Sequence, residues 1–302
     1  MLDIHTYIHC NCYSISKMFQ VASLHSHGQY MAHHQQQVPA RPPIQLPRNL
    51  SRPKFTDVSR DALVAVSPDL ADVPPEYIRR GLCKNPGPLL CGINALALPS
   101  ALPRSQVSSV LRIALSIPSG EPQYPSHILA ISPAKSSHPG SDRVHIFAVH
   151  ALTLAANCAR LPALPPSNPS PSADGHLALP VLPLSLPSPA AFHVIHQYLY
   201  THRLDAVMTA LGFPASSFQR NLTHQHVLAA LQSSETVHSL AVLLCQHTSG
   251  NLGKLTALTA HVKDLWQDMV SLGLYDYELW DTLDLAWEVL LGALNLAAVN
   301  QH

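Results

Sequence analysis

The chain reads His127-Ile-Leu-Ala-Ile131 and then Val144-His-Ile-Phe-Ala-Val149, within the stretch 126–204 that decides the fold. Both runs are rich in strand-forming residues. A turn-forming cluster, Ser136-Ser-His-Pro-Gly-Ser-Asp142, lies between them, so together they predict a β-hairpin. The next segment, Ala151–Ala159, is rich in alanine and leucine and predicts a helix.

A second strand and helix follow a proline-rich loop. Residues 160–175 contain five prolines and three serines, a composition typical of a loop. Val181–Leu186 predicts a strand, which Pro180 and Pro183 would confine to a sheet edge because proline cannot donate to a ladder. Ser188 can cap the helix that comes next. The apolar face of that helix is formed by Phe192, Ile195, Leu199 and Tyr200.

Shorter signals precede this stretch. Ser59–Val66 suits a short helix or strand, Pro74–Gly81 predicts a helix bracketed by proline and glycine, and Ser109–Ile117 predicts a strand. We therefore expect an α+β core over residues 55–204.

The first 54 residues differ from this core. They predict a disordered leader followed by a proline-rich linker. His5, His9, Cys10 and Cys12 crowd together there, but their spacings match no zinc finger or ribbon, so no metal site is expected. Met31 is a second plausible start, which leaves open whether residues 1–30 belong to the protein.

Residues 205–302 predict an all-α region. Apolar residues recur at spacings of three and four in Leu255–Leu272 and again in Leu279–Ala293, which indicates an αα-hairpin. Its helices should cover each other, although a heptad seam could instead pair two chains. The candidate partner-binding residues of this hairpin are Leu255, Leu258, Val262, Leu265, Trp266, Trp280 and Trp287.

Composition excludes several classes of protein. The 18 basic residues are balanced by 18 acidic ones, so there is no surplus of positive charge for direct binding to nucleic acid. The 6 cysteines show no repeating spacing, which is typical of free thiols in a reducing compartment. No signal peptide is apparent, and apolar runs such as Val289–Val299 are too short to span a bilayer. We expect a soluble intracellular protein without a membrane partner.

No catalytic signature is present. Gly250-Asn-Leu-Gly-Lys254 has two residues between its glycines where a phosphate loop needs about four. We therefore expect no enzyme, no catalytic residue and no cofactor. The alternative is an active site built from distant residues, in which His150, His193 or His196 meets a carboxylate in a deep pocket.

Two segments resemble the BTB/POZ domain. They are Phe147-Ala-Val-His150-Ala-Leu-Thr-Leu-Ala-Ala, and Leu186-Pro-Ser-Pro-Ala-Ala-Phe192 with Tyr198-Leu-Tyr-Thr201. This resemblance implies a small sheet-and-helix core from about residue 126. The proline-rich loop and the lack of a clear N-terminal dimerisation helix depart from that domain, so the oligomeric state stays open.

A closer resemblance covers roughly residues 43–299. Leu63–Gly81 and Glu278–Ala297 resemble the clampless-type developmental regulators of mushroom-forming and related fungi. This implies a role in sexual development below mating-type control, in clamp-cell formation and the dikaryon, with no known catalytic site. The function expected is a nuclear, or nuclear and cytoplasmic, adaptor. Its partners would be transcription or cell-cycle regulators, including mating-type-dependent transcription factors.

Overall fold

The computed structural model describes residues 46–118, 120–134 and 142–300. The expected leader and its histidine–cysteine cluster therefore lie outside the described residues, apart from 46–54. Contacts group Asn49–His302 into one unit.

The first half of this unit contains both helices and strands, and the regular elements described in the second half are helices. The first-half elements are α1 (Arg60–Val66), α2 (Pro75–Lys84), α3 (Gly87–Asn94), β1 (Ala101–Pro103), β2 (Val110–Ala114), β3 (His127–Pro133), β4 (Arg143–Val149), α4 (Ala151–Asn157) and β5 (His176–Leu186). The second-half helices are α5 (Pro189–Thr201), α6 (Leu204–Ala210), α7 (His224–Gln232), α8 (Ser234–His247), α9 (Leu252–Leu272) and α10 (Tyr277–Val299). The predicted α+β class, with a helical C-terminal region, is confirmed.

The five strands form one sheet in the order β1-β4-β3-β5-β2. β3 and β4 pair antiparallel as the predicted hairpin, with His127 opposite Val149. β5 returns parallel to β3 after α4 and the proline-rich loop. β5 begins earlier than expected, because its first residues pair antiparallel with β2, with Leu177 opposite Ile113.

The sheet is curled, because its two edge strands, β1 and β2, are linked by backbone contacts of the residues next to them. Just before β1, Leu96 bridges to Leu115, and the Ala97 N–H donates to the Ala114 carbonyl at 3.0 Å. The chain then runs into β1, which pairs with β4. Apolar side chains fill the curl: Ile113, Ile128, Val144, Ile146, Leu177 and Leu179 are all buried.

The edge position expected for β5 is wrong, because β5 lies between β3 and β2. Its prolines are tolerated for a local reason. Residues up to Pro180 pair with β2, and residues from Val181 onward pair with β3. Pro183 therefore lies in the half of β5 that pairs with β3 alone. On the other side of this half no strand needs a backbone N–H from β5, so a proline is tolerated there.

Helix α5 covers the sheet, and helices α1 and α2 pack on α4. Phe192 of α5 meets Phe147 of β4 edge to face, with 4.9 Å between ring centroids. Leu63 of α1 and Ile78 of α2 are buried against Ala155 and Ala156 of α4. This packing confirms the apolar face predicted for α5 and the helix predicted after β4.

Helix α10 is the centre of the C-terminal region. It packs against α6, α7, α8 and α9, and Trp280 and Trp287 are buried within it. The helix has 23 residues and a mean hydropathy of 1.4 over its most apolar window, long and apolar enough to cross a membrane. The run Val289–Val299, expected to be too short to span a bilayer, is only the last part of this helix, so that expectation stays a prediction. Half of that window is buried inside the fold.

The helices differ from expectation at three places. α2 continues past Gly81 to Lys84. Residues 223–246 form two helices bent by 102°, because Ser233 ends α7 and its side chain accepts from the Thr236 N–H to cap α8. Helix α3 was not predicted, although Pro86 and Pro88 stand at its first positions, where proline is tolerated.

Candidate partner-binding surface

The structure places most of the seven candidate residues in the interior. Helix α9 packs on α5 and α10, and α10 packs on four neighbouring helices. Five of the side chains are consequently buried: Leu255, Val262, Leu265, Trp280 and Trp287. Leu258 and Trp266 are partly exposed. In this fold a partner could therefore reach Leu258 and Trp266 but not the other five.

Trp266 is partly covered by a segment from the N-terminal side of the core. Residues 50–56, which we call the strap, have no regular secondary structure. Leu50 is buried, and the Trp266 Nε1–H donates to the Ser51 carbonyl at 2.9 Å. The strap is thus fixed to α9, more than 200 residues away in the chain.

Arg52 fixes the strap to α10 as well. Its Nε donates to Asp284 Oδ2 at 3.0 Å, and its Nη2 donates to Asp281 and Asp284. His224 of α7 approaches the second oxygen of Asp281, with Nε2 and Oδ2 2.6 Å apart. We call these four residues the Arg52 clamp. One guanidinium held by two carboxylates is the strong, charge-assisted form of hydrogen bond.

Electrostatics within the clamp follow from its partial burial. Burial alone lowers the pKa of Arg52, but the hydrogen bonds to Asp281 and Asp284 outweigh it, so the pKa of Arg52 lies above its ordinary value. Burial raises the pKa of Asp284 above its ordinary value, even with Arg52 beside it. Asp284 is therefore easier to protonate than an exposed aspartate.

Three aromatic residues form an exposed cluster next to the clamp. Phe55 of the strap and Tyr275 meet edge to face with centroids 5.1 Å apart, and Tyr275 and Tyr277 do the same at 5.1 Å. Phe55 is 48% exposed and Tyr277 is 60% exposed. We call Phe55, Tyr275 and Tyr277 the aromatic patch. Arginine and aromatic side chains are the types enriched at protein interfaces.

His150 is bonded in a way that fixes the imidazole. The His150 backbone N–H donates to the Tyr200 hydroxyl oxygen at 3.0 Å, and that hydroxyl lies 3.1 Å from Nδ1. Nε2 lies 2.9 Å from the Gln123 carbonyl, to which it can donate. Burial lowers the pKa of His150. A neutral ring that accepts at Nδ1 and donates at Nε2 satisfies every one of these contacts.

His196 is a second enclosed ring beside the first. Its Nε2 lies 2.9 Å from the Ala148 carbonyl, and burial lowers its pKa to about 4. His193, one turn earlier on α5, is exposed. Among the described residues, the hydrogen bonds of His150 and His196 go to backbone groups and Tyr200, and none goes to a carboxylate.

Cys83 and His202 form a thiol–imidazole pair, with Sγ and Nε2 2.8 Å apart. Burial, and then the carboxylates of Asp276 and Glu278, raise the pKa of Cys83 to about 11. A nucleophilic cysteine requires the opposite shift, because the thiolate is the reactive form. This pair is consequently suited to packing and hydrogen bonding at neutral pH.

Comparison with protein-family models identifies two matches. Residues 53–187 match the clampless protein 1 N-terminal domain, and residues 176–302 match the clampless protein 1 C-terminal domain. The chain belongs to the clampless protein 1 family. Neither the curated proteins nor the solved structures compared with it gave a match. Family membership suggests a developmental regulator in fungi.

The two parts that define the clampless family meet in β5. The matched ranges overlap at residues 176–187, which is β5 and the residue after it. The β3–β4 hairpin, α4, β5 and α5 follow one another in the order that the BTB/POZ resemblance implies. The family models that match the chain are those of the clampless family, however, so the BTB/POZ resemblance stays a prediction. The domain boundaries at residues 54 and 204 also stay predictions.

Sequence reasoning missed the residues that make the surface of this clampless-family chain distinctive. Arg52 and Asp281 are 229 positions apart, and His224 and Asp281 are 57 apart. The local pattern places Arg52 in a solvated linker, and Asp281 and Asp284 on a solvated helix face. The sequence holds one usable signal: two of the four carboxylates of α10, Asp281 and Asp284, stand at i and i+3 and therefore lie on one face of the helix.

Proposed function

We propose that this clampless-family chain is a non-enzymatic adaptor in fungal sexual development. It would bind transcription or cell-cycle regulators, including mating-type-dependent transcription factors, through the aromatic patch and the neighbouring strap. It would act in the nucleus, or in nucleus and cytoplasm, during clamp-cell formation in the dikaryon.

The observation that carries this proposal is the exposure of the aromatic patch. Phe55 and Tyr277 leave about half of their side-chain surface in water, at 48% and 60% exposure, and both contact Tyr275. Arg52 and Trp266 lie beside them through the strap. Tyrosine, tryptophan and arginine carry most of the binding energy at measured interfaces, and a rigid scaffold beneath them reduces the entropy lost on binding.

The enclosed histidines and Cys83 support a non-catalytic role. His150 and His196 are held neutral by burial and bonded to backbone carbonyls, while Cys83 is held as a thiol because its pKa is raised. General acid–base catalysis needs a titrating group near the working pH and within reach of substrate. The balance of 18 basic and 18 acidic residues supports a protein partner rather than a nucleic acid.

A pull-down with surface variants tests the proposal. Deletion of 255–299 would remove Trp280 and Trp287 from the core, so a loss of binding would report unfolding. The sharper variant is the double substitution Phe55→Ala and Tyr277→Ala. The control is Ile117→Ala, which removes a 97% exposed apolar side chain near the end of β2.

The measurement is affinity purification of tagged wild-type and variant protein from mating-competent fungal cells, followed by mass spectrometry. We expect wild type and Ile117→Ala to recover transcription or cell-cycle regulators. The double variant should recover them about tenfold less, because loss of an interface anchor costs more than about 1 kcal/mol. If the double variant recovers the regulators as well as wild type does, the aromatic patch is not the binding surface. Recovery of no such regulator by wild type would contradict the adaptor.

A further inference from the structure

The strap carries a serine directly beside the Arg52 clamp. We propose that Ser51 is a phosphorylation site for a kinase that reads an upstream arginine, and that its phosphate releases the strap from α9 and α10. Only the consequence of this release, a change in the surface that a partner contacts, rests on the proposed function. The release itself can be tested without any partner.

Ser51 is accessible to a kinase. The residue is exposed, and residues 49–59 contain no helix or strand that must unwind. Because Leu50 is buried and Arg52 is bonded to α10, the segment enters an active-site cleft when the strap detaches transiently, and the phosphate then opposes its return. Arg48 stands three positions before Ser51 in the sequence. A guanidinium at that spacing can pair with carboxylates that a kinase presents beside its catalytic centre, since arginine matches carboxylate geometry.

The modification is an ordinary phosphoryl transfer from a nucleoside triphosphate. A bond forms between Ser51 Oγ and the γ-phosphorus of ATP, and the bond from that phosphorus to the bridging oxygen breaks, which releases ADP. The hydroxyl proton passes to the catalytic aspartate of the kinase. No oxidant, reductant or further co-reactant is needed.

The phosphate acts on the clamp through charge. In the clamp, the guanidinium of Arg52 faces the two carboxylates of Asp281 and Asp284. A phosphate on the residue preceding Arg52 adds a charge of about −1.5 to −2. It competes for the guanidinium of Arg52 and repels both carboxylates. Both effects weaken the attachment of the strap to α10.

Trp266 reports release of the strap. Its Nε1–H is bonded to the Ser51 carbonyl, so detachment of the strap exposes the indole to water. The other two of the 3 tryptophans, Trp280 and Trp287, are buried and contribute a constant background. Tryptophan emission and its quenching by acrylamide therefore measure the state of the strap.

The experiment treats the purified full chain with ATP and the catalytic subunit of cyclic-AMP-dependent protein kinase, a probe that reads arginine before serine. Mass spectrometry locates the phosphate. We expect phosphate on Ser51, a red shift of the emission maximum and a steeper Stern–Volmer slope. Ser51→Ala should show neither change. Arg52→Ala should show both without any kinase, and Trp266→Phe should abolish the signal.

Two results would overturn the inference. One is a folded chain that takes no phosphate at Ser51 while the isolated peptide 46–58 is phosphorylated. The other is full phosphorylation of Ser51 with unchanged emission and quenching. Failure of the proposed function is a separate result, because it appears in the partner pull-down and leaves this fluorescence measurement unaffected.

Discussion

At the scale of single residues, partial burial decides which ion pairs matter. The Arg52 side chain is 28% exposed and is held by two aspartates, whereas Arg80 and Glu76 form a pair on α2 at 65% and 61% exposure. Water and salt screen the second pair and leave it worth little. Removal of Arg52 leaves two partly buried carboxylates three residues apart with no cation between them.

We therefore expect Arg52→Gln to lower the free energy of unfolding by about 1–3 kcal/mol. Arg80→Gln is the matched control and should cost about 1 kcal/mol or less. Urea denaturation of both variants measures the difference. Equal losses in the two variants would show that the clamp contributes no more than a surface pair.

Asp268 is a second residue whose environment is unusual. It is completely buried on α9; its Oδ1 accepts from the Ser188 N–H at 2.9 Å, and its Oδ2 has no hydrogen-bond partner in the described part of the chain. Burial raises its pKa to about 7 from an ordinary 3.8. Between these two values the unfolded chain loses the proton while the folded chain keeps it. The free energy of unfolding therefore falls as pH rises through this window.

Asp268→Asn removes this dependence, because the amide stays neutral and can still accept from Ser188. We expect the variant to gain stability relative to wild type as the pH rises from about 4.5 to about 8. Urea denaturation at both pH values gives the difference between the two proteins, from which the titration of all other groups cancels. An equal difference at both values would contradict the raised pKa.

At the scale of elements, Gly273 ends α9 and also allows another segment of the chain to approach closely. Gly273 is left-handed at φ 63°, and a Cβ there would meet Arg160 Cγ at 2.8 Å and the Arg160 backbone nitrogen at 3.2 Å. The same turn accepts N–H groups from the other half of the fold: Arg160 donates to the Leu272 carbonyl at 3.0 Å. This glycine therefore lets α9 stop and lets residues 159–160 approach.

Gly273→Ala should consequently cost more than an ordinary left-handed substitution. Gly250→Ala is the matched control, because Gly250 has φ 64° and a Cβ added there would meet no atom within 4 Å. We expect Gly250→Ala to lower the free energy of unfolding by about 1–2 kcal/mol, and Gly273→Ala to lower it by roughly 1–3 kcal/mol more. Thermal or urea unfolding distinguishes them. A cost at Gly273 no greater than at Gly250 would refute the packing role.

Periodic elements could be predicted from the sequence, and long-range ones could not. The spacing of apolar residues predicts α9, α10 and the αα-hairpin that they form, because each pattern is local and repeated. The break between α7 and α8 depends on the single cap at Ser233, which interrupts a pattern that continues on both sides. The Arg52 clamp joins residues that only the complete fold brings together, so no local pattern signals it.

At the scale of the whole molecule, α5 joins the α+β part to the helical part. Tyr198 of α5 donates from its hydroxyl to Asp276 Oδ1 at 2.8 Å, and the Ser188 N–H at its cap donates to Asp268. On the other side, Phe192 and Tyr200 of α5 pack against β4 and its following residue His150. The boundary predicted at residue 204 would place α5 with the sheet alone.

Two fragments test where the helical part ends. Fragment 176–302 keeps α5 and corresponds to the C-terminal family match, whereas fragment 205–302 begins at the predicted boundary. Without α5, helix α9 loses one of its packing partners, and Asp268 loses the Ser188 N–H that donates to it. We expect 205–302 to lack a cooperative transition and to bind a hydrophobic dye, as partly folded states do.

Fragment 176–302 should melt more cooperatively than 205–302, yet below the intact chain, because α5 then exposes Phe192 and Tyr200 where the sheet is missing. Near-ultraviolet circular dichroism of the buried tryptophans follows each transition. If 205–302 melts as sharply as 176–302, α5 contributes nothing to the helical part, and the boundary at residue 204 is correct. The opposite order places α5 and its two hydrogen bonds inside one cooperative unit with α9 and α10.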